Sequence, residues 1–296
     1  MRRPPSNRGM SVMDNLRDDD GRDGELVRRA REGDRAALEE LIRRHQPWVL
    51  HIAQRMLWSR GDAEDAAQEI LLKAVTHLAR FRQESGFRTW LYRIASNHLL
   101  DRCRTAKSFD QVVVSLNEMP DGELPDPNSS GVEKAILIEE AKVACTTGIL
   151  MCLKPRQRLV FILGEILGVR DEVAAAMMET TPGNFRQLLS RTRRELYGFL
   201  NRQCGLVNQS NACCCARKAP TFIERGWVRP DRLQFVDTRL IQVQRVAPDR
   251  TGELHDLERR HAQIFREESL LAPREEALKL RKLLEDSGIR EAIGLE

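Results

Sequence analysis

Between Glu25 and Arg104 the apolar residues return every three or four positions, a period that fits α-helices and excludes strands. Gly33-Asp34 breaks a first helix and caps a second, in which Leu38, Leu41, Ile42, His45, Val49 and Ile52 share one face. Gly61-Asp62 is expected to do the same for a third. There Ala66, Ala67, Ile70, Leu71, Ala74, Val75 and Leu78 form the buried stripe, with Asp62, Asp65, Glu69, Lys73 and Thr76 opposite. After a short loop, Arg82–Gly86, a fourth helix runs from Phe87 to about Arg104. Phe87, Trp90, Leu91, Ile94 and Ala95 form its apolar face, and Arg93, Asn97, Asp101 and Arg104 its polar one. Aromatic residues make up 5% of the chain and charged residues 31%, a balance that suits small helical units and not a large sheet.

Helical periodicity resumes from Val132 to Leu200. A helix beginning at Pro155, a second from about Arg170 to Met178 and a third from about Pro182 to Leu200, with Glu179-Thr180-Thr181 before the last, make a helix-turn-helix arrangement. The stretch between the two blocks is rich in Pro, Asp, Asn and Ser and reads as a linker. The reading is therefore all-α. A disordered tail (1–23) precedes a helical domain (24–105), and a flexible linker (106–132) leads to a second small helical domain (133–201). A mostly helical, cysteine-containing extension (202–296) follows.

With 296 residues the chain has room for such a division. The formal net charge of +4 is uninformative, but its distribution is not. Thr181–Arg202 holds five Arg and one Glu, whereas Asp249–Glu296 holds nine basic and twelve acidic residues. A single basic face on an otherwise balanced chain is the footprint of a DNA-reading element. No apolar run reaches the roughly 20 residues of a membrane span, and the basic N-terminus lacks the apolar stretch of a secretory signal. A cytoplasmic location is expected, with the seven Cys as thiols or metal ligands. No Ser/His/Asp, paired-carboxylate or phosphate-loop constellation is evident, so no enzymatic activity is expected.

Two segments carry a family resemblance. GDAEDAAQEILLKAVTHLARF followed by FRTWLYRIASNHLLDRCR resembles region 2 of sigma-70 family factors in their extracytoplasmic-function (ECF) form. LKPRQRLVFILGEILGVRDEVAAAMMETTPGNFRQLLSRTRREL resembles their region 4, and the two occur in the family's order across about two-thirds of the chain. The resemblance implies a sigma factor that binds core RNA polymerase through the β′ clamp and the β flap, recognises promoter DNA, melts it and starts transcription. It requires no cofactor for that activity, and an anti-sigma factor is a further partner of such proteins. Two rival readings remain: a helix-turn-helix repressor that needs no polymerase, and a metal- or redox-sensing protein with a sigma-like body.

The resemblance also distributes roles. The helix bearing Asp62, Asp65, Gln68 and Glu69 becomes region 2.2, which docks on the β′ clamp, where carboxylates give orientation and on-rate. The loop Phe81–Phe87, the exposed side of Tyr92, Arg93 and Asn97 become the −10 surface, where unstacked bases must be held. Asp101 is expected to pair with a nearby Arg. The last helix becomes region 4.2, reading the −35 element with Asn184, Arg186, Gln187, Ser190, Arg191 and Arg194, while Phe185, Leu188 and Leu189 anchor it. Thr181 can cap it, with Pro182 in its first turn. Family members often have Gly where Glu179 stands, which makes the geometry of that turn a point to test.

Cys103, Cys145 and Cys152 read as core thiols. Cys204, Cys213, Cys214 and Cys215 fall within twelve residues of a Gly/Asn/Ser-rich stretch, at a spacing that matches no standard zinc-finger rule. Three readings stay open: zinc or another thiophilic metal, a redox switch, or neither. Adjacent cysteines point apart, so a metal would take Cys204, Cys213 and Cys215, with His255, His261 or an open position as the fourth.

Overall fold

The computed structural model describes residues 16–103, 119–124, 131–231 and 233, and every described regular element is helical. Four helices form the first unit: α1 Leu16–Arg31, α2 Arg35–Met56, α3 Arg60–His77 and α4 Phe87–Arg102. Gly33 ends α1 with φ +92°, a left-handed conformation that glycine adopts without steric cost. Asp34 then caps α2, its side chain accepting from the Ala37 N–H at 3.1 Å. For α3 the expected boundary moves. Gly61 and Asp62 lie in the first turn, and the cap is Ser59, whose Oγ accepts from the Asp62 N–H. α2 packs on α1 and α3, and α4 crosses all three.

The disordered tail expected over 1–23 does not extend through its last third, where α1 starts at Leu16 and Asp23 is fully buried. The Asp23 carboxylate lies 2.8 Å from His45 Nε2 and 3.0 Å from Arg44 Nε on α2. Burial pushes its pKa up, but the hydrogen bonds and charges of His45 and Arg44 outweigh this and hold it below the ordinary range. An unpaired charge there would be costly, so this cluster fixes α1 on α2.

The second unit contains α5 Gly131–Met151, α6 Pro155–Phe161, α7 Asp171–Met177 and α8 Pro182–Gln203. A π-helical turn, Ile162–Ile166, extends α6. Gly164 in that turn lets α8 approach closely, since a Cβ there would sit 2.6 Å from a Leu189 methyl and 3.3 Å from the Phe185 ring. The extension adds α9 Cys215–Glu224, which packs along α5. Around that contact Met119, Ala141, Val143, Ala144, Ala219, Phe222 and Val228 form a small second core. The segments expected as helices near 252–268 and 274–289, most of the 106–132 linker, and His255 and His261 lie outside the described residues.

The two units do not keep separate cores. One contiguous apolar cluster runs from Leu26 through Leu91 and Leu159 to Leu200. α4 packs against α6 and α7, and α2 against α5 and α6. Arg158, 3% exposed, seals this contact. Its guanidinium donates to the carbonyls of Leu150 (3.0 Å), Met151 (2.9 Å) and Leu153 (3.2 Å) at the end of α5, and to Met56 (2.5 Å) at the end of α2. Those carbonyls lie at or just past helix C-termini, where Leu150 also accepts the Leu153 N–H at 3.1 Å and Met56 the Cys103 thiol at 3.6 Å, and a buried cation reaching all four satisfies groups that are costly to leave short of donors.

Candidate polymerase and nucleic-acid interface

α3 turns Ala63, Ala66, Ala67, Ile70, Leu71, Ala74 and Val75 into the core. Asp62 and Asp65 are exposed and Gln68 is half-buried. Glu69 is exposed but engaged within the unit, with Arg102 Nη1 at 2.9 Å and His98 Nε2 at 3.4 Å. Glu69 thus takes Arg102; among the described residues no Arg pairs with the exposed Asp101, and Arg104 lies outside them. Lys73 Nζ lies 2.8 Å from His98 Nδ1, and burial first, then the Lys73 charge, lower the His98 pKa. The face of α3 is thus acidic at its N-terminal end and internally compensated at its C-terminal end.

On α4 the expected surface is met in part. Asn97 is exposed and Arg93 half-buried, but Tyr92 is 3% exposed. Its ring lies parallel to Trp48 of α2, with centroids 3.2 Å apart, and meets His45 edge-on. The exposed side expected for Tyr92 is therefore covered, because α2 lies across that flank of α4. In the preceding loop Phe81 and Phe87 are buried against each other and Trp90, while Arg82, Gln83 and Glu84 are exposed, Gln83 with φ +57°. Arg93 points across to the second unit, 3.8 Å from Glu179.

α8 matches its sequence pattern closely. Thr181 Oγ1 accepts from the Asn184 N–H at 3.2 Å, and Pro182 occupies the first turn. Phe185 and Leu189 are buried against α6 and the π turn, and Leu188 packs at their edge. Asn184, Arg186, Gln187, Ser190, Arg191 and Arg194 are all exposed along the outer face. Arg186 lies 3.4 Å from Asp171 at the start of α7, and Arg193 is paired with Glu165, so Arg193 serves packing while Arg191 and Arg194 face outward. Glu179, in the turn before the helix, has φ +51°. A left-handed residue is what this turn requires, and a non-glycine there is strained by roughly 1–2 kcal/mol. α8 therefore has the form of a recognition helix: capped, anchored on one side, basic and hydrogen-bonding on the other.

The thiols fall into two groups. Cys152 Sγ donates to the Gly148 carbonyl at 3.4 Å and Cys103 Sγ to the Met56 carbonyl at 3.6 Å, as expected of core thiols. Cys204, Cys213, Cys214 and Cys215 are all half-buried where α8 ends and α9 begins. Among the described residues no three His, Cys, Asp or Glu side chains are already gathered as a metal-ligating group. No helix of the described residues is long and apolar enough to cross a membrane.

Comparison with known proteins gives the family. Residues 41–109 match the sigma-70 region 2 family. The chain is 32% identical over 178 residues to an RNA polymerase sigma-H factor of Pseudomonas aeruginosa, covering 59% of this chain and 91% of that protein. It is 32% identical over 179 residues to the ECF RNA polymerase sigma-E factor of Escherichia coli K12, covering 58% of this chain and 90% of that protein. A solved structure described as CnrH in complex with the cytosolic domain of CnrY overlaps 61% of this chain and 97% of that one, at 22% identity and a TM-score of 0.45. With nine-tenths of the sigma-H and sigma-E factors matched at this identity, the chain belongs to the sigma-70 family as an ECF RNA polymerase sigma factor, a protein that directs transcription initiation.

Proposed function

We propose that this sigma factor divides promoter work among three faces. The acidic end of α3, with Asp62, Asp65 and Gln68, docks on the β′ clamp of core RNA polymerase, Glu69 holding α3 to α4 beneath it. Asn97 and Arg93 of α4, with the exposed loop Arg82–Glu84, hold the −10 element. α8 reads the −35 duplex in the major groove. The observation that carries this reading is α8 itself, where six polar or basic residues are exposed along one face while Phe185 and Leu189 anchor the other. An anti-sigma factor that covers the α3 face or the α8 face is a further proposed partner.

The packing adds a requirement. The −10 and −35 elements are about 25 base pairs apart by their numbering, about 85 Å at 3.4 Å per base pair. In this structure α4 and the helix-turn-helix share one core, and Arg93 of the −10 face lies against Glu179 of the −35 module. The two units must therefore separate before both elements can be held, and the packed form is a resting state. Arg186→Ala and Arg191→Ala should each weaken holoenzyme binding to a promoter by about 5–150-fold where the arginine reads a guanine, the equivalent of about 1–3 kcal/mol. Footprinting with reconstituted holoenzyme measures this. Unchanged −35 protection in both variants would overturn the assignment of α8.

A further inference from the structure

The extension that follows the helix-turn-helix fastens the linker that precedes it. Met119 is buried beside Ala219, Phe222 and Val228, in the small core that α9 forms with Ala141, Val143 and Ala144 of α5. Polar groups lock the same stretch of chain. Lys218 Nζ donates to the Met119 carbonyl, Thr221 Oγ1 to the Pro120 carbonyl at 3.0 Å, and the Gly122 N–H to the Arg217 carbonyl at 2.9 Å. Asp121 pairs with Lys218 at 3.0 Å and with Arg217 at 3.2 Å. The Lys218 side chain is 13% exposed and Thr221 is buried, so the linker shields both donors from water.

The turn after α9 reaches the first unit. Gly226, at φ +69°, reverses the chain, and the N–H groups of Trp227 and Val228 both donate to the Phe222 carbonyl, at 2.9 and 3.1 Å. This turn lays Trp227 against Phe222, with ring centroids 5.2 Å apart, and sets it edge-on to Trp58 at 6.5 Å. Trp58 lies between α2 and α3, and its ring also covers α5, where a Cβ on Gly148 would sit 3.3 Å from it. The extension thus meets the linker, the second unit and the first unit at one place. Fastening the linker shortens the tether between the units. From Cys103 to Gly131 the chain takes 28 steps, about 95 Å fully extended, but from Cys103 to Met119 only 16, about 55 Å. The fastened form withholds about 40 Å of reach, close to half the distance between the promoter elements.

We propose that residues 215–228 form an intramolecular clasp. It fastens linker residues 119–122 to α5 and latches Trp58 through Trp227, and so holds the sigma factor in the packed form. The proposal rests on the reading of that form as a resting state. The clasp is built to open reversibly: its core is small, and its polar bonds run to carbonyls of an exposed segment, so it opens at a lower free energy than the main core. Opening returns the full tether to the two units and frees Trp58. Polymerase and promoter that engage only the separated units then gain apparent affinity in proportion to the fraction opened.

The test uses the full chain carrying Lys218→Met and Thr221→Val, which remove the donors to the Met119 and Pro120 carbonyls and keep side chains of similar size on α9. Hydrogen exchange reads the Gly122 amide and the amides at the ends of α2 and α4, where Arg158 seals the contact between the units. Exchange at Gly122 should rise by about 5–150-fold, the effect of losing two hydrogen bonds. Exchange at the ends of α2 and α4 should rise with it, and the apparent affinity for core polymerase should increase by up to the same factor. Trp227→Ala, which leaves the linker bonds in place, is an independent variant and should accelerate exchange at the ends of α2 and α4. Glu224→Ala, on the exposed end of α9, should behave as wild type. Unchanged exchange at Gly122 would overturn the proposal, as would faster exchange at Gly122 alone with the inter-unit amides and polymerase affinity unchanged. Weaker polymerase binding by the double variant would also overturn it, in favour of an extension that helps to dock. If no form of the protein bound core polymerase, the promoter reading would fall, and exchange at the ends of α2 and α4 would still decide whether the clasp holds the units together.

Discussion

Replacing Arg158 by alanine should loosen the contact between the two helical units, and the structure allows the size of the effect to be worked out. The guanidinium is 3% exposed and donates to four backbone carbonyls, three at the end of α5 and one at the end of α2. Burial lowers its pKa, yet an arginine remains charged, so each contact is a charge-assisted bond worth about 1.5–3 kcal/mol. These do not add, because truncation admits water to some of the carbonyls. Breaking a buried charged network costs about 3–5 kcal/mol in total. For a cooperative unit of 150–250 residues, 1 kcal/mol corresponds to about 2–4 °C, so Tm should fall by about 6–20 °C. Arg158→Lys should recover only part of the loss, since an ammonium reaches fewer carbonyls than the planar fork. Thermal unfolding followed by circular dichroism measures the fall, and limited proteolysis between the units should accelerate in parallel. A drop below about 2 °C, or Arg158→Lys matching wild type, would refute the reasoning that Arg158 seals the shared core.

The Glu179 turn gives a difference measurement: Glu179→Gly and Glu179→Ala both remove the Arg93 pair, but only glycine relieves φ +51°, so the glycine variant should be the more stable by about 1 kcal/mol in urea unfolding. Asp62→Lys with Asp65→Lys should slow association with core polymerase, most at low salt, and leave Tm within about 1 °C; a stopped-flow series across ionic strength reads this. His51 is held neutral, its pKa lowered to about 4 by burial and then by Arg55. The unfolded chain takes up that proton below about 6.5, so the contribution is complete above pH 6.5 and is lost as pH falls towards 4, by about 2–3 kcal/mol. His51→Gln should flatten the slope of urea stability between pH 6.5 and 4.5, and an unchanged slope would assign the loss to other groups.

Much of this fold is legible in the sequence because helices announce themselves by period and caps. Asp34 and Thr181 sit immediately before apolar stripes, and each caps its helix as its position implies. The exposed face of α8 could be read residue by residue, because Phe185 and Leu189 leave only one orientation. Tertiary burial is where the reading stops. Tyr92 lies on a flank that the helical period leaves open, and it is the chance of Trp48 crossing there that covers it. Asp23 sits in a polar, acidic run in which nothing distinguishes the carboxylate that meets His45, 22 positions on, from those that remain in water. Arg158 is one of two arginines flanking Gln157, and only the packing of α2 on α5 and α6 makes it the buried one. Ser59 and Gly61-Asp62 compete as start signals two residues apart, and local geometry chose the former.

The central claim is that this chain confers promoter specificity on core RNA polymerase. Run-off transcription tests it most directly, with purified core enzyme, the full-length protein and host promoter fragments. The account predicts discrete transcripts that core enzyme alone does not make, that require this protein, and that fall when Arg186 and Arg191 are replaced by alanine. Tight binding of the protein alone to a promoter fragment, with no transcript from any template in the presence of core enzyme, would contradict it.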